Sequence, residues 1–453
     1  MNIVIVGGGK VGYTLTQQLA GEGHDVTVID KRAESLTQSM DSVDVFCIEG
    51  NGASYTVQME AGVQKADLLI AATSGDEINM LCCMVAKKLG AKHTIARVRD
   101  PEYQKQMIFL KEELGLSMVI NPEMAAAGDI SRMLRFPPAM NVEPFARGRV
   151  EMVEFRVKEG SPLIGLSLAD FPKHIKARVL VCAVGRGGQA YIPKGHFVIA
   201  PGDKLSVVAD SQSISAFFRS LHTQQRRIKD VMIIGGGRIA YYLTRQLLDS
   251  GMHVKIIENN EARCHTLSSL LPKAEVLYGD GTDQELLHEE GLLSTDAFIS
   301  LTGFDEENIL LSMYANACGV KKVITKVNST HLVNMLDSTG LDTFISPKQI
   351  TSHRILSYVR AMQNATGSSV ETLYRLMEDK VEALEFRVHP SSRCIGTPLK
   401  DLPIRKEVLV SAIFRHNKAL IPSGNDSIET GDSVIIATTL RGLRDLDAIL
   451  EEA

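Results

Sequence analysis

The sequence predicts an α/β chain of two doubly wound parallel sheets, each followed by a small β-rich α+β unit. Three observations carry that reading. Over residues 1–120, short apolar runs alternate with stretches of helical periodicity, the pattern of strands joined by crossover helices. The first run, Asn2-Ile3-Val4-Ile5-Val6, feeds straight into the Gly-rich turn Gly7-Gly8-Gly9-Lys10-Val11-Gly12. The whole series then begins again, with an offset of 228 residues from Gly7 to Gly235.

The elements follow in order. Apolar runs at 3–6, 26–29, 43–48, 68–72, 93–98 and 117–120 predict six strands of a first Rossmann-like unit over 1–120. The intervening helices include one with Ile78, Leu81, Cys82, Val85 and Leu89 on its apolar face, at spacings of three and four. Residues 121–143 read as a connecting helix. Asn121-Pro122 starts it and Pro137-Pro138 stops it. Its stripe of Ile130, Met133 and Leu134 fits packing within its own unit or against another copy.

Residues 144–222 change character, with strand-like runs at 151–157, 178–184 and 204–209 separated by turns such as Gly185-Arg186-Gly187-Gly188 and Pro201-Gly202-Asp203. This is a first small unit, and the polar stretch 223–228 is a linker. The second copy comprises a sheet unit over 229–345, a connecting helix over 346–371 and a small unit over 372–453. Tyr13, Leu15, Gln18 and Leu19 recur as Tyr241, Leu243, Gln246 and Leu247. Gly50-Asn51-Gly52 recurs as Gly279-Asp280-Gly281, and Thr73 to Asn79 as Thr302 to Asn308. In the small units Glu154-Phe155-Arg156-Val157 matches Glu385-Phe386-Arg387-Val388.

A net charge of −5, no Trp and 5% aromatic residues argue against nucleic acid, which selects basic surfaces and base-stacking rings. Seven cysteines, an odd number at irregular spacing, fit buried reduced thiols. No apolar run approaches the roughly 18 residues of a membrane span and no leader pattern is visible, so a cytoplasmic chain is expected.

Gly7, Gly9 and Gly12 have the G-x-G-x-x-G spacing. Gly7 would make the tight strand-to-helix turn, Gly9 would let a pyrophosphate approach the backbone, and Gly12 would let the helix pack on the strand. The phosphates would lie on the free N–H groups of the helix start. Asp30, at the end of the second strand, could accept hydrogen bonds from ribose hydroxyls. The copy has Gly235, Gly236 and Gly237, with Ala240 as last small residue and Glu258 as the acid. Both acids favour NAD over NADP. Lys31 and Arg32 soften that preference, unless they are a solvated first helical turn. Ser74 and Glu77 fit a capping box, while Ala72-Thr73, ending the fourth strand, could line the crevice. Arg97, with Lys326 as its counterpart, could meet a phosphate or ribose, or pair with a surface acid.

No catalytic or metal-ligating set is legible. His174, His196, His389 and His416 do not recur between the small units and read as surface residues. No cluster has metal-ligand spacing, and neither a G-x-S-x-G nor a Walker lysine motif occurs.

The glycine turn, the acid of the second strand, the Gly-Asp-Gly-like loop and T-x-x-D-E-x-N before the fourth helix together resemble the regulator-of-potassium-conductance family. The following unit of about 80 residues resembles that family's C-terminal domain. The tandem order is similar to that of regulatory subunits of bacterial Trk potassium uptake. The resemblance implies binding of NAD(H), with ATP or ADP as further ligands, and no enzymatic activity. It also implies a ring or tetramer of identical chains docked under a potassium-transporting membrane subunit of the Trk type. That places the chain at the cytoplasmic face of the inner membrane, touching the membrane only through the partner. Carried over by position, one site uses Gly7, Gly8, Gly9, Lys10, Val11, Gly12, Asp30, Asn51, Ala72, Thr73 and Arg97. The other uses Gly235, Gly236, Gly237, Arg238, Ile239, Glu258, Asp280, Thr302 and Lys326. Asn51 departs from the family's Asp, which Asp280 keeps, so the two sites need not prefer the same ligand. The competing expectations are an NAD-dependent dehydrogenase, a nucleotide-sensing transcription regulator and a regulator of potassium efflux.

Overall fold

In the computed structural model, residues 1–221, 227–329, 332, 339–363 and 370–451 are described. They form two compact units, one of residues 1–127 with 237–243 and 346–352, the other of the remaining segments. Most of the expected linker, residues 223–226, lies outside the described residues.

The first unit is built on a six-stranded parallel sheet of β1 (Asn2–Val6), β2 (Asp25–Asp30), β3 (Phe46–Glu49), β4 (Leu68–Ala71), β5 (His93–Arg97) and β6 (Met118–Ile120). The strand order is β3-β2-β1-β4-β5-β6. The chain therefore reverses its winding between β1 and β4, and the crevice outside the carboxyl ends of those strands is where ligands of doubly wound sheets bind. β1 and β4 are almost wholly apolar because helices cover both faces of the sheet.

The second unit holds three sheets. Strands β7 (Ala139–Phe145), β8 (Val150–Arg156), β9 (Leu180–Arg186), β10 (Gln189–Tyr191) and β11 (Lys204–Ala209) form an antiparallel sheet. The second parallel sheet comprises β12 (Asp230–Ile234), β13 (His253–Glu258), β14 (Glu275–Tyr278), β15 (Ala297–Ser300), β16 (Lys322–Lys326) and β17 (Phe344–Ile345). Its order, β14-β13-β12-β15-β16-β17, repeats that of the first. Strands β18 (Val370–Leu376), β19 (Val381–Arg387), β20 (Val408–Arg415), β21 (Lys418–Leu420) and β22 (Ser433–Thr438) form a second antiparallel sheet with the connectivity of the first.

Two expectations need correction. The helix read over 121–143 spans only Pro122–Arg135. Once Pro137-Pro138 breaks it, residues 139–145 pair with β8 as a strand, and a register shift between Ala139 and Asn141 leaves Ala139, Val142 and Phe145 buried in place of the two-residue alternation that marks a strand. Similarly, the helix placed over 346–371 spans Pro347–Gln363, residues 364–369 lie outside the described set, and Val370 begins β18.

The two antiparallel sheets share one core, in which Phe145, Val150, Met152, Cys182 and Val208 pack with Leu376, Val381, Ala412 and Ile435. The repeated glutamates reciprocate across it. Glu154 accepts the Met377 N–H at 3.4 Å, and Glu385 accepts the Ala146 N–H at 3.1 Å. Both amides lie in hairpin turns with positive φ, and in each case a buried carboxylate satisfies a turn donor of the opposite sheet.

The helix Ser211–Ser220 packs on β8 and β11 through Ile214, Phe217 and Phe218, the last two meeting Phe155 at ring-centroid distances of 5.5 and 5.3 Å. Asp210 caps it, accepting the Gln212 and Ser213 N–H groups at 3.0 Å each. Burial alone would raise the Asp210 carboxyl, but these bonds and the Ser213 hydroxyl outweigh it and hold the pKa below the ordinary value. A carboxyl lowered in the fold stabilises above its unfolded pKa and loses that contribution as pH falls through the folded one. Asp210→Ala is therefore expected to cost about 1 kcal/mol at pH 7, a cost that shrinks between pH 5 and pH 3, as urea unfolding at each pH would record.

Candidate functional site

In the first sheet, β1 delivers the chain to Gly7 with φ +107°, a backbone conformation that side chains resist. A Cβ there would also lie 3.0 Å from the Ala72 carbonyl and the Thr73 nitrogen. The turn thus sits tightly on the chain leaving β4. The Gly8 N–H donates to Asp30 Oδ2 at 2.7 Å, and the Arg32 N–H to Asp30 Oδ1 at 2.9 Å. Nothing lies within 4 Å of a Cβ built at Gly9, so this side of the turn is open. The helix Lys10–Gly21 starts here without a side-chain cap. Its first intrahelical bond is Tyr13 N–H to Gly9 O, which leaves the N–H groups of Lys10, Val11 and Gly12 without helical acceptors. Gly12 is packed hardest, since a Cβ there would fall 1.8 Å from Gly7 O.

Three further elements close the crevice. The Gly50 N–H donates to Asp30 O at 2.8 Å, and a Cβ on Gly52 would strike Val6 Cγ1 at 2.1 Å. Asn51 Oδ1 accepts the Ala53 N–H at 3.2 Å, making a local turn. Thr73 follows β4, and Arg97 ends β5 with its Nη2 3.8 Å from Glu123 Oε1. Of the two roles open to Arg97, the acid is thus present, and that acid is part-buried. Burial pulls the Arg97 guanidinium down, Arg99 pushes the same way, and Glu123 opposes. Lys31 and Arg32 are exposed, with Arg32 Nε 3.9 Å from Asp30 Oδ1.

The second copy repeats these features. Gly235 has φ +95° and abuts Leu301 and Thr302 as Gly7 abuts Ala72 and Thr73. The Gly236 N–H donates to Glu258 Oε2 at 2.6 Å, and Arg263 Nε donates to Gly236 O at 2.7 Å. Gly237 precedes the helix Arg238–Asp249, in which Ile239 is buried. Asp280 makes the turn of Asn51, accepting from Thr282 N and Oγ1 at 2.8 Å, and both bonds lower its pKa. The Asn-to-Asp difference between copies therefore leaves the loop's own geometry alike. Lys326 Nζ donates to Thr302 O, where Arg97 instead faces Glu123.

The capping box expected at Ser74 and Glu77 is absent. The helix begins at Asp76 with Gly75 as its uncapped N-cap residue, and Glu77 instead accepts from the Tyr103 hydroxyl at 2.5 Å. Asp76 and Asn79, which the sequence offered as letters of the repeated T-x-x-D-E-x-N motif and not as site residues, hold this region together. Asp76 Oδ2 accepts the Arg99 and Asp100 N–H groups at 2.8 Å each. Asn79 is fully buried. Its Oδ1 accepts from Thr73 N at 2.8 Å and Thr73 Oγ1 at 2.7 Å, and its Nδ2 donates to Arg97 O at 2.8 Å. Asp305 and Asn308 repeat both roles on Asn328, Ser329, Thr302 and Lys326. The available signal was their recurrence at the same two positions of both copies.

The apolar face assigned to that helix also differs. Asn79, Met80, Cys82, Cys83 and Ala86 are buried, whereas Ile78 and Leu81 are more than a third exposed. Cys47 and Cys318 are half-buried and the other five cysteines buried. Burial pushes the Cys82 thiol up to about 12. His174, His196, His389 and His416 are exposed. Among the described residues, no group of three His, Cys, Asp or Glu side chains could hold a metal ion, and no helix is long and apolar enough to cross a membrane.

Residues 3–122 and 231–347 match the family model described as TrkA-N domain, and residues 152–222 and 383–451 that described as TrkA-C domain. The chain is 35% identical over 440 residues to the Trk system potassium uptake protein TrkA homolog of Archaeoglobus fulgidus, covering 96% of this chain and 97% of that protein. It is 34% identical to the Trk system potassium uptake protein TrkA of Halomonas elongata, covering 100% and 99%. Among solved structures it resembles the GsuK channel bound to NAD, with TM-score 0.64 and 18% identity over 96% of this chain and 76% of that one. The GsuK RCK domain has the same score and identity, with coverage of 96% and 92%. These two establish likeness of fold.

Proposed function

The chain belongs to the TrkA family of Trk system potassium uptake proteins, and from that premise we propose that it is the nucleotide-sensing regulatory subunit of a potassium uptake system. In this reading both crevices take NAD(H), with ATP or ADP as competing ligands. The nucleotide units are residues 1–120 and 229–345. The small units are 144–222 and 372–453, the first extended to include the strand Ala139–Phe145. Identical chains form a ring or tetramer beneath a Trk-type potassium-transporting subunit, at the cytoplasmic face of the inner membrane.

The observation that supports this most is the repeated acid-to-turn bond. Asp30 and Glu258 each hold the middle glycine N–H of the turn while presenting carboxylate lone pairs at the strand end. In dinucleotide sites that position takes the ribose hydroxyls, and the open helix start takes the pyrophosphate. Thr73 and Thr302 border the turn where the rest of the nucleotide would lie. The reading is non-enzymatic. The ligand acts by binding one arrangement of the subunit more tightly than another, and the difference in affinity sets how far the equilibrium moves. Arg263, committed to the Gly236 carbonyl in the second copy, supports unequal preferences at the two sites.

Calorimetric titration of NAD, NADH, ATP and ADP into the wild type, Asp30→Ala and Glu258→Ala tests the assignment. Each substitution is expected to weaken one of two sites about tenfold, the loss of hydrogen bonds to a charged acceptor. Unchanged affinities for all four nucleotides in both variants would reject it, and steady NADH oxidation with a small substrate would reject the non-enzymatic reading.

A further inference from the structure

The second unit contains a cavity of about 520 Å³ that no feature of the nucleotide crevices uses. It lies between the β7–β11 sheet and the amino ends of β15, β16 and β17, where Asp296, Lys322 and Thr343 line it. The glycine turn, Thr302 and Lys326 sit at the carboxyl ends of that same sheet, so the cavity and the crevice occupy opposite ends of the strands. Its volume falls within the roughly 300–1,000 Å³ typical of small-molecule sites.

The lining has two characters. Phe155, Phe218, Leu221, Ile228 and Leu341 make an apolar wall. The lining also carries four cations, Arg156, Lys158, Lys321 and Lys322, and three acids, Glu159, Asp296 and Asp342. The charges do not cancel locally. Arg156 Nε meets Asp342 Oδ1 at 3.0 Å, and Asp296 Oδ2 accepts the backbone N–H of Lys229 and Asp230 at 2.9 and 3.3 Å. In the first copy the matching Asp67 accepts the Asn2 N–H at 2.9 Å and also pairs with Lys92 at 2.7 Å. Lys321, the counterpart of Lys92, has no ion pair among the described residues.

Lys322 is the decisive residue. It is 3% exposed, and its Nζ donates to two neutral acceptors, Ala139 O at 2.5 Å and Thr343 Oγ1 at 3.0 Å. Among the described residues no carboxylate pairs with it. An ammonium buried without a counter-charge is costly unless it loses its proton or gains an anion. Burial accordingly draws the Lys322 ammonium down to about 7, with Asp342 acting against the shift and Lys158 with it. Among the described residues, Ala139 O and Thr343 Oγ1 are the hydrogen-bond acceptors of Lys322 Nζ.

We propose that this cavity binds a small organic anion, its charged group on Lys322 and its apolar body against Phe155, Phe218 and Leu221. The ligand would bridge the antiparallel sheet and the second parallel sheet from the end remote from the nucleotide crevice. Neither part of the lining explains the site alone. An apolar cavity would not place an uncompensated lysine in its wall, and a simple anion trap would not need the aromatic face.

The probe is octanoate, with 1-octanol as its uncharged analogue and inorganic phosphate as an anion without an apolar body. Each is titrated calorimetrically into the full chain, the Lys322→Met variant and a Ser161→Trp variant that fills the cavity from its lining. Thermal unfolding and elution volume report whether each variant is folded. Octanoate is expected to bind the wild type at one site, at least tenfold more weakly in Lys322→Met, and not at all in Ser161→Trp. Octanol and phosphate should bind at least tenfold more weakly than octanoate to the wild type. Equal octanoate affinity in wild type and a folded Lys322→Met overturns the proposal, as does absence of octanoate binding to the wild type. The outcome does not depend on nucleotide binding, so it stands apart from the test of the crevices.

Discussion

Gly12→Val should disable the first nucleotide crevice and leave the second intact. A Cβ at Gly12 falls 1.8 Å from Gly7 O and 2.9 Å from Gly7 C, both backbone atoms of the turn itself. No rotamer change relieves such an overlap. Either the helix Lys10–Gly21 moves off the sheet or the turn does, and overpacking of this kind costs about 3 kcal/mol. The start of the turn is held twice, by Gly7 N–H to Ile29 O at 2.7 Å and Gly8 N–H to Asp30 at the same distance. Moving it therefore carries away the open amides as well as the acid. The second copy tests the same steric argument, because Ala240 stands at the matching position and is fully buried there. That helix already accommodates a methyl group, so Ala240→Val should be milder than Gly12→Val. On titration with NAD, binding is expected to fall from two nucleotides per chain to one in Gly12→Val, with a drop in urea stability. A variant that keeps two equal sites would show that the Gly12 contact does not shape the crevice.

The parts legible in the sequence were those that depend on local pattern. Four-residue apolar runs and glycine spacing located the strands and the turn, and the offset copy revealed the second sheet, because each is written in contiguous residues. The partners of buried polar groups were less legible. Ser74 and Glu77 have the letters of a capping box, yet Gly75 takes the N-cap position and Tyr103 takes the Glu77 carboxylate. Tertiary partners outcompeted a local bond worth about 1 kcal/mol. The stripe of Ile78 and Leu81 satisfies a helical period, but so does the narrower face of Cys82, Cys83 and Ala86, which the sheet actually covers. Hydrophobicity ranked the larger side chains first, whereas close packing of the helix on β4 and β5 selected the smaller ones. The reciprocal Glu154 and Glu385 bonds were visible only as a repeated glutamate. Their acceptor role requires knowing that two hairpin turns approach from the opposite sheet.

Asn79 is the residue whose loss should be felt most widely for its size. It is fully buried, and its one amide group touches both flanks of the crevice, Thr73 after β4 and the Arg97 carbonyl at the end of β5. Asn79→Ala leaves the Thr73 N–H and the Arg97 C=O without their partner. At about 1–3 kcal/mol for each orphaned group, and with both only part-buried, the loss is about 2 kcal/mol or more. A second consequence follows from position. Thr73 borders the glycine turn through the Gly7 contact, so a relaxed Thr73 loosens the floor on which the turn rests. Affinity at the first crevice is expected to fall about tenfold as its geometry loosens, with the second crevice unchanged. Asn308→Ala should do the reverse, because Asn308 holds Thr302 N at 2.8 Å and Lys326 O at 3.1 Å in the same manner. Asn79→Asp separates the two halves of the role. It keeps the acceptor for Thr73 N but sets a carboxylate oxygen against the Arg97 carbonyl, and should therefore be no more stable than Asn79→Ala. Urea unfolding and nucleotide titration of the three variants give the ordering. If Asn79→Ala retained wild-type stability and both affinities, the crevice would be shaped by the backbone alone.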